Sequence, residues 1–145
     1  WNYPDDLDPD TMFLAQDLPP VFQEAMKMSK EAVKRFNARA RRDGIKLLAL
    51  GSHSLLRYEG LSEKRKERKL SDALYRDRMK KLFEDEGIPF IDQGAYLKGQ
   101  GIPIADANFK SDGHWNALGH RSAAEAVFQY LKAHPEVCDK RKERL

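Results

Sequence analysis

The apolar positions along the chain change period several times, and each change marks an element. From Val21 onward, Phe22, Ala25, Met26, Ser29, Val33, Phe36 and Ala40 share one helical face, while Lys27, Lys30, Lys34, Arg35 and Arg39 lie elsewhere. Arg41 and Arg42 suit the C-terminal end of the helix dipole, and Gly44 suits the cap. Ile45 to Leu50 is a short, nearly continuous apolar run, the pattern of a strand buried on both faces in a parallel sheet. A loop is expected from Gly51 to Gly60. A second helix is expected from Ser71 to Glu86, with Leu70, Ala73, Leu74, Asp77 and Lys81 on its partly apolar face and Gly87 as its stop. Ile88 to Asp92 reads as a second strand, with Pro89 at its start or at an edge. Gln93 to Phe109 reads as a long loop with one turn near Tyr96 and Leu97. The last helix is expected from about Ala117 to Ala133, with Ala124, Val127, Phe128 and Leu131 as its inner stripe and Pro135 beyond its end.

The order helix–strand–helix–strand–helix implies an α/β fold: right-handed crossovers onto a parallel sheet with helices on both faces. Two strands are too few to cover three helices, and a two-stranded parallel sheet leaves both edges open. The chain therefore reads as half of a doubly wound, three-layer αβα domain whose N-terminal half of the sheet lies elsewhere. An acidic, proline-interrupted lead-in occupies 1–20, the half-domain 21–134 and a basic tail 135–145. The start at Trp1, without an initiator Met, reads as that of a processed, tagged or excised piece.

Composition narrows the function classes. A chain of 145 residues can bury about 70% of its unfolded surface. Its 41% hydrophobic content, with nine glycines besides, is that of a globular domain, and 34% charged residues call for strongly polar outer faces. No stretch approaches a membrane span. The net charge of +3 conceals an acidic N-terminal stretch (Asp5, Asp6, Asp8, Asp10, Asp17) and basic runs at 63–69 and 140–144. These runs interleave glutamates and lack aromatic partners, so they read as solvated helix faces and not as a nucleic-acid surface. Cys138 is a single thiol, which rules out an internal disulfide and reads as incidental.

Candidate chemistry concentrates where open α/β sheets bind ligands, beyond the carboxyl ends of the strands. Gly51-Ser52-His53-Ser54 follows the first strand, Asp92-Gln93 the second, and Asp112-Gly113-His114-Trp115-Asn116 precedes the last helix. An Asp beside a His can form the base half of a nucleophilic triad, the carboxylate fixing the tautomer and the imidazole taking the nucleophile's proton. His114 could instead cap the helix or ligate a metal. No i, i+4 His pair or third convergent ligand supports a metal, and no cofactor is implied. His120 reads as packing near the helix start. Ser52, His53 and Ser54 read as polar groups lining the cleft, with Ser54 a rival nucleophile and His53 a rival base.

Asp112, His114, Asn116, Gly119 and His120 together resemble the last block of the SGNH (GDSL-like) hydrolase family. "GIKLLALGSHS" resembles that family's late core strand, and "EGIPFIDQGAYL" resembles the strand leading into the last block. The resemblance covers Val21 to His134. The family's usual Asp-x-x-His has Ser111 at its first position here. The Asp112-x-His114-Trp115 spacing instead resembles the alginate O-acetyltransferase type of SGNH protein. The G-D-S block with the nucleophilic serine, the oxyanion-hole Gly block and the G-x-N-D block are not in the sequence.

The resemblance implies a flavodoxin-like SGNH fold and a serine-dependent ester hydrolase acting on an acyl, chiefly acetyl, ester of a carbohydrate or lipid. His114 would be the base and Asp112 its orienter, with Trp115, Asn116, Ser52 and His53 bordering the substrate. The alternatives are an O-acetyltransferase of the same fold and a non-catalytic binding module. The expected partners are an ester-bearing small molecule or carbohydrate, and either the missing N-terminal segment or a second copy at the open sheet edge. Only the resemblance speaks to the compartment, and it favours an extracytoplasmic one.

Overall fold

Pro20 does not interrupt the first helix; it begins it. At the first helical position its missing N–H would be unpaired in any case, and its fixed φ suits the helix. The computed structural model describes residues 13–52, 71–110 and 113–138. His53, Ser54, Leu70, Ser111, Asp112 and the basic runs lie outside them. Within the described residues the chain is α/β, with four α-helices and a two-stranded parallel sheet. It divides into two units, Trp1–Leu47 with Tyr58–Pro89, and Leu48–Arg57 with Phe90–Leu145.

In the first unit, α1 (Pro20–Arg42) packs against α2 (Asp72–Glu84). Phe22 and Ala40 are buried on α1, and Ala25, Met26 and Val33 are half-buried, as the periodicity predicts. Phe36 departs from that stripe and is 64% exposed. The neighbouring Asn37 is buried instead, because its Nδ2 donates to the Glu86 carbonyl at 2.7 Å. On α2 the inner residue is Leu82, with Leu74, Tyr75 and Arg78 half-buried; Ala73, Asp77 and Lys81 face solvent. The Arg78 guanidinium donates to the carbonyls of Phe13 and Gln16, both at 2.8 Å, and Ser71 N–H donates to the Leu14 carbonyl. Leu14 is thereby buried, and Phe13 meets Phe22 edge-on at 4.8 Å. Lys81 and Lys30 both donate to Asp85 and hold its carboxyl below the usual carboxylate range.

In the second unit, β1 (Ala49–Gly51) runs parallel to β2 (Phe90–Asp92) in the register Ala49↔Phe90, Leu50↔Ile91, Gly51↔Asp92. Both strands are shorter than the apolar runs suggest. The expected burial of the first strand on both faces does not hold: Leu50 is 37% exposed, since β1 has one strand neighbour among the described residues. A Cβ on Gly51 would overlap the Phe90 ring, so a side chain there would require that ring to move. The segment after β2 is not a plain loop. It forms α3 (Gln93–Gly99) and a 3-10 turn (Ile104–Ala107). Asp92 starts α3 by accepting from Ala95 N–H at 3.0 Å.

Three helices end alike. Gly44, Gly87 and Gly101 take positive φ, and the following Ile45, Ile88 and Ile102 donate back to the carbonyls of Ala40, Phe83 and Leu97. This is the Schellman closure, in which a left-handed residue turns the chain out while satisfying orphan carbonyls.

The last helix, α4 (Ala117–Ala133), has the predicted extent but not the predicted inner face. Gly119, Ser122, Ala123 and Ala126 are buried, whereas Ala124 is exposed, Phe128 is 57% exposed, and Val127 and Leu131 are half-buried. Small residues let the helix backbone approach α3, β2 and the 3-10 turn closely, which a Phe128 stripe would prevent.

Candidate functional site

The site is assembled on the second unit, at the carboxyl ends of β1 and β2. Gly51 pairs with Asp92, so Ser52 and Gln93 leave adjacent strands at the same end. Ser52 is exposed. Gln93 is 2% exposed and turns inward, where its Nε2 donates to the Gly119 carbonyl at 2.7 Å and to Ser122 Oγ at 2.8 Å. Ser122 Oγ donates to the same carbonyl at 2.8 Å. The end of the sheet and the first turn of α4 are thus joined by a buried amide. The sequence placed Gln93 beside the cleft; it gave no sign that the residue reaches 26 positions ahead.

The loop before α4 is closed by its own backbone. Asn108 and Trp115 form an antiparallel bridge, and Phe109 N–H donates to the His114 carbonyl at 2.8 Å. Gly113 N–H donates to the Phe109 carbonyl, and Asn116 N–H to the Ala107 carbonyl, each at 3.1 Å. Gly113, at φ +71°, takes a backbone conformation that a side chain would strain. His114 projects from this closed loop as an exposed residue. Asp112 lies outside the described residues, so the geometry of the Asp112–His114 pair does too.

Trp115 is half-buried and meets the exposed His120 edge-on at 5.5 Å, which places His120 in packing near the helix start. Asn116 is the N-cap of α4: its Oδ1 accepts from Leu118 N–H at 2.9 Å and Gly119 N–H at 3.1 Å. Its Nδ2 donates to the carbonyls of Asp106 at 2.8 Å and Asn108 at 3.1 Å. A Cβ on Gly119 would overlap the Ala107 carbonyl oxygen and come within 2.9 Å of Trp115 Cβ, so only glycine lets the helix start so close to the loop. Asn108 is buried and donates to the Ile104 carbonyl at 2.8 Å, which leaves Oδ1 without a partner among the described residues.

The structure therefore brings His114, Trp115 and Asn116 together on one braced loop, and joins that loop through α4 and Gln93 to the strand ends where Ser52 lies. His53 is outside the described residues. Among the described residues no group of three His, Cys, Asp or Glu side chains could hold a metal ion, and no helix is long and apolar enough to cross a membrane. His114 is thus an exposed residue between the Phe109 backbone and the cap of α4, in the unit that holds the parallel strand pair.

Comparison with protein families finds that residues 9–145 match the family described as "SGNH hydrolase-like domain, acetyltransferase AlgX". Comparisons with curated proteins and with solved structures find no significant match.

Proposed function

The chain belongs to the SGNH hydrolase-like family described for the acetyltransferase AlgX, and on that premise we propose that it supplies the base half of a serine-dependent acyl-transfer site. The observation that carries the reading is the exposed His114 on a backbone-closed loop directly before a capped helix, inside the family match. Asp112 orients the imidazole and stabilises the imidazolium. The serine comes from another segment of the enzyme, as do the donors that hold the oxyanion.

His114 takes the proton of that serine as its oxygen bonds to the acyl carbon of an acetyl ester. It then gives the proton to the departing alkoxide as the ester C–O bond breaks, leaving an acyl-serine. In the second half His114 deprotonates the acceptor oxygen. That oxygen attacks the acyl carbon, and the serine leaves with the proton. With a carbohydrate hydroxyl as acceptor the enzyme is an O-acetyltransferase; with water it is an esterase. The Asp112-x-His114-Trp115 spacing and the family's description favour the transferase. Trp115, Ser52 and His53 border the acyl donor or sugar, and Asn116 shapes that border from the start of α4. No cofactor enters.

The test uses the assembled enzyme, containing this chain and the segment that bears the serine. Release of p-nitrophenol from p-nitrophenyl acetate is measured with and without an oligosaccharide acceptor. His114→Ala is expected to lower turnover by at least roughly 10³-fold with the fold retained by circular dichroism. Acceptor-dependent transfer of acetyl identifies the transferase. Unchanged turnover in His114→Ala overturns the assignment.

A further inference from the structure

Asn116 makes more contacts than a helix cap requires. A cap needs only the side-chain oxygen, and here that oxygen is used on Leu118 and Gly119 N–H. The amide nitrogen is used as well, on the carbonyls of Asp106 and Asn108. The backbone N–H goes to Ala107 and the carbonyl accepts from His120 N–H at 3.0 Å. Phe109, which follows Asn108, holds the His114 carbonyl at 2.8 Å. The links therefore form a ring: Asn116 side chain to Asn108, Asn108 by covalent bond to Phe109, Phe109 to His114, and His114 through Trp115 back to Asn116. The ring ties the backbone that carries His114 to the capped first turn of α4. Gln93 in turn holds that turn to the end of β2.

We infer that Asn116 is a positioning residue for His114: its amide nitrogen fixes the loop while its amide oxygen caps the helix, and it acts on the reaction through His114 and not by binding substrate. The inference rests on the acyl-transfer reading of His114. All four hydrogen-bonding places of the amide are used: both donors on loop carbonyls and both acceptor lone pairs on helix N–H groups. A substrate contact would have to displace one of them.

The two halves of the amide can be separated by substitution. Asn116→Ser keeps a capping oxygen and removes both bonds to the loop carbonyls; Asn116→Asp keeps the cap and sets a carboxylate against those carbonyls. Both are studied in the assembled enzyme with p-nitrophenyl acetate, beside wild type and Gln129→Ala, a change on the exposed face of α4. The expected result for Asn116→Ser is kcat lower by roughly 10²-fold, the scale set by misplacement of about 1 Å, with KM within twofold and an unchanged circular dichroism spectrum. Asn116→Asp is expected to lose at least as much kcat.

A raised KM with kcat unchanged would show that Asn116 contacts substrate and would overturn the inference, as would wild-type kinetics in Asn116→Ser. Should either variant fold poorly, amide exchange at Phe109 and Gly113 in Asn116→Thr decides. Faster exchange at both, with Leu118 and Gly119 still protected, supports the ring; unchanged exchange at Phe109 and Gly113 overturns it. If His114→Ala retains activity while Asn116→Ser loosens the loop, the acyl-transfer reading fails and the ring stands.

Discussion

Replacing Gly119 with alanine adds one methyl group at the point where α4 meets the loop that carries His114. Two opposed effects act on the variant. Alanine stabilises a helix interior relative to glycine by up to about 1 kcal/mol. Against this, the new Cβ would overlap the Ala107 carbonyl oxygen and stand 2.9 Å from Trp115 Cβ, about 0.5 Å short of ordinary contact. The first obstacle is backbone and cannot swing aside as a long side chain would. That same carbonyl accepts from Asn116 N–H, so moving it strains the loop closure.

Overpacking of this kind costs typically about 1–3 kcal/mol, and a backbone obstacle belongs at the upper end. The net loss is therefore about 1–2 kcal/mol, or roughly 3–8 °C in Tm for a domain of this size. Gly99→Ala is the internal control. Gly99 closes α3 with nothing within 4 Å of the position its Cβ would take, so the variant is expected to be neutral or stabilised by up to about 1 kcal/mol. Urea unfolding and thermal scans of both variants beside wild type measure the difference. A Gly119→Ala protein as stable as Gly99→Ala would refute the close approach of helix and loop on which the site is built.

Gln93→Leu keeps most of the side-chain volume and removes the bonds to Gly119 and Ser122 of α4, so it is expected to cost about 1–3 kcal/mol in urea unfolding. A neutral Gln93→Leu would mean that the sheet end and α4 are not joined through this amide. On α4 the two faces make opposite predictions. Phe128→Gln should stay within about 0.5 kcal/mol of wild type, and Ala126→Leu should lose about 1–3 kcal/mol, as read by Tm shifts. The reverse order would restore the face that periodicity alone suggests.

Much of the framework was legible in the order of residues, because local chemistry decides it. The glycines at 44 and 87 mark helix ends since few other residues accept the left-handed turn there. The Gly101-Ile102 pair repeats that signal, and it could have revealed α3, which the apolar spacing alone left as a loop. Pro135 and the polar run before Ala117 bound α4 to the residue. The Asp112-x-His114-Trp115 spacing carried the resemblance to the family whose model matches residues 9–145.

On α1 the apolar spacing found the inward face apart from Phe36, but on α4 only the tertiary structure decided it. Spacing fixes the period of a helix but not its phase, and on α4 the phase went to Gly119, Ser122, Ala123 and Ala126, not to Phe128. Close approach of backbones, possible only past small side chains, outweighed the larger apolar area of the other stripe. The same holds for the polar groups. Gln93 and Asn116 each look like surface amides in the sequence. Their partners become available only when the chain brings the first turn of α4 against β2, α3 and the 3-10 turn. The residues specified where His114 stands in the chain; the fold decided which backbone and amide groups bond around it.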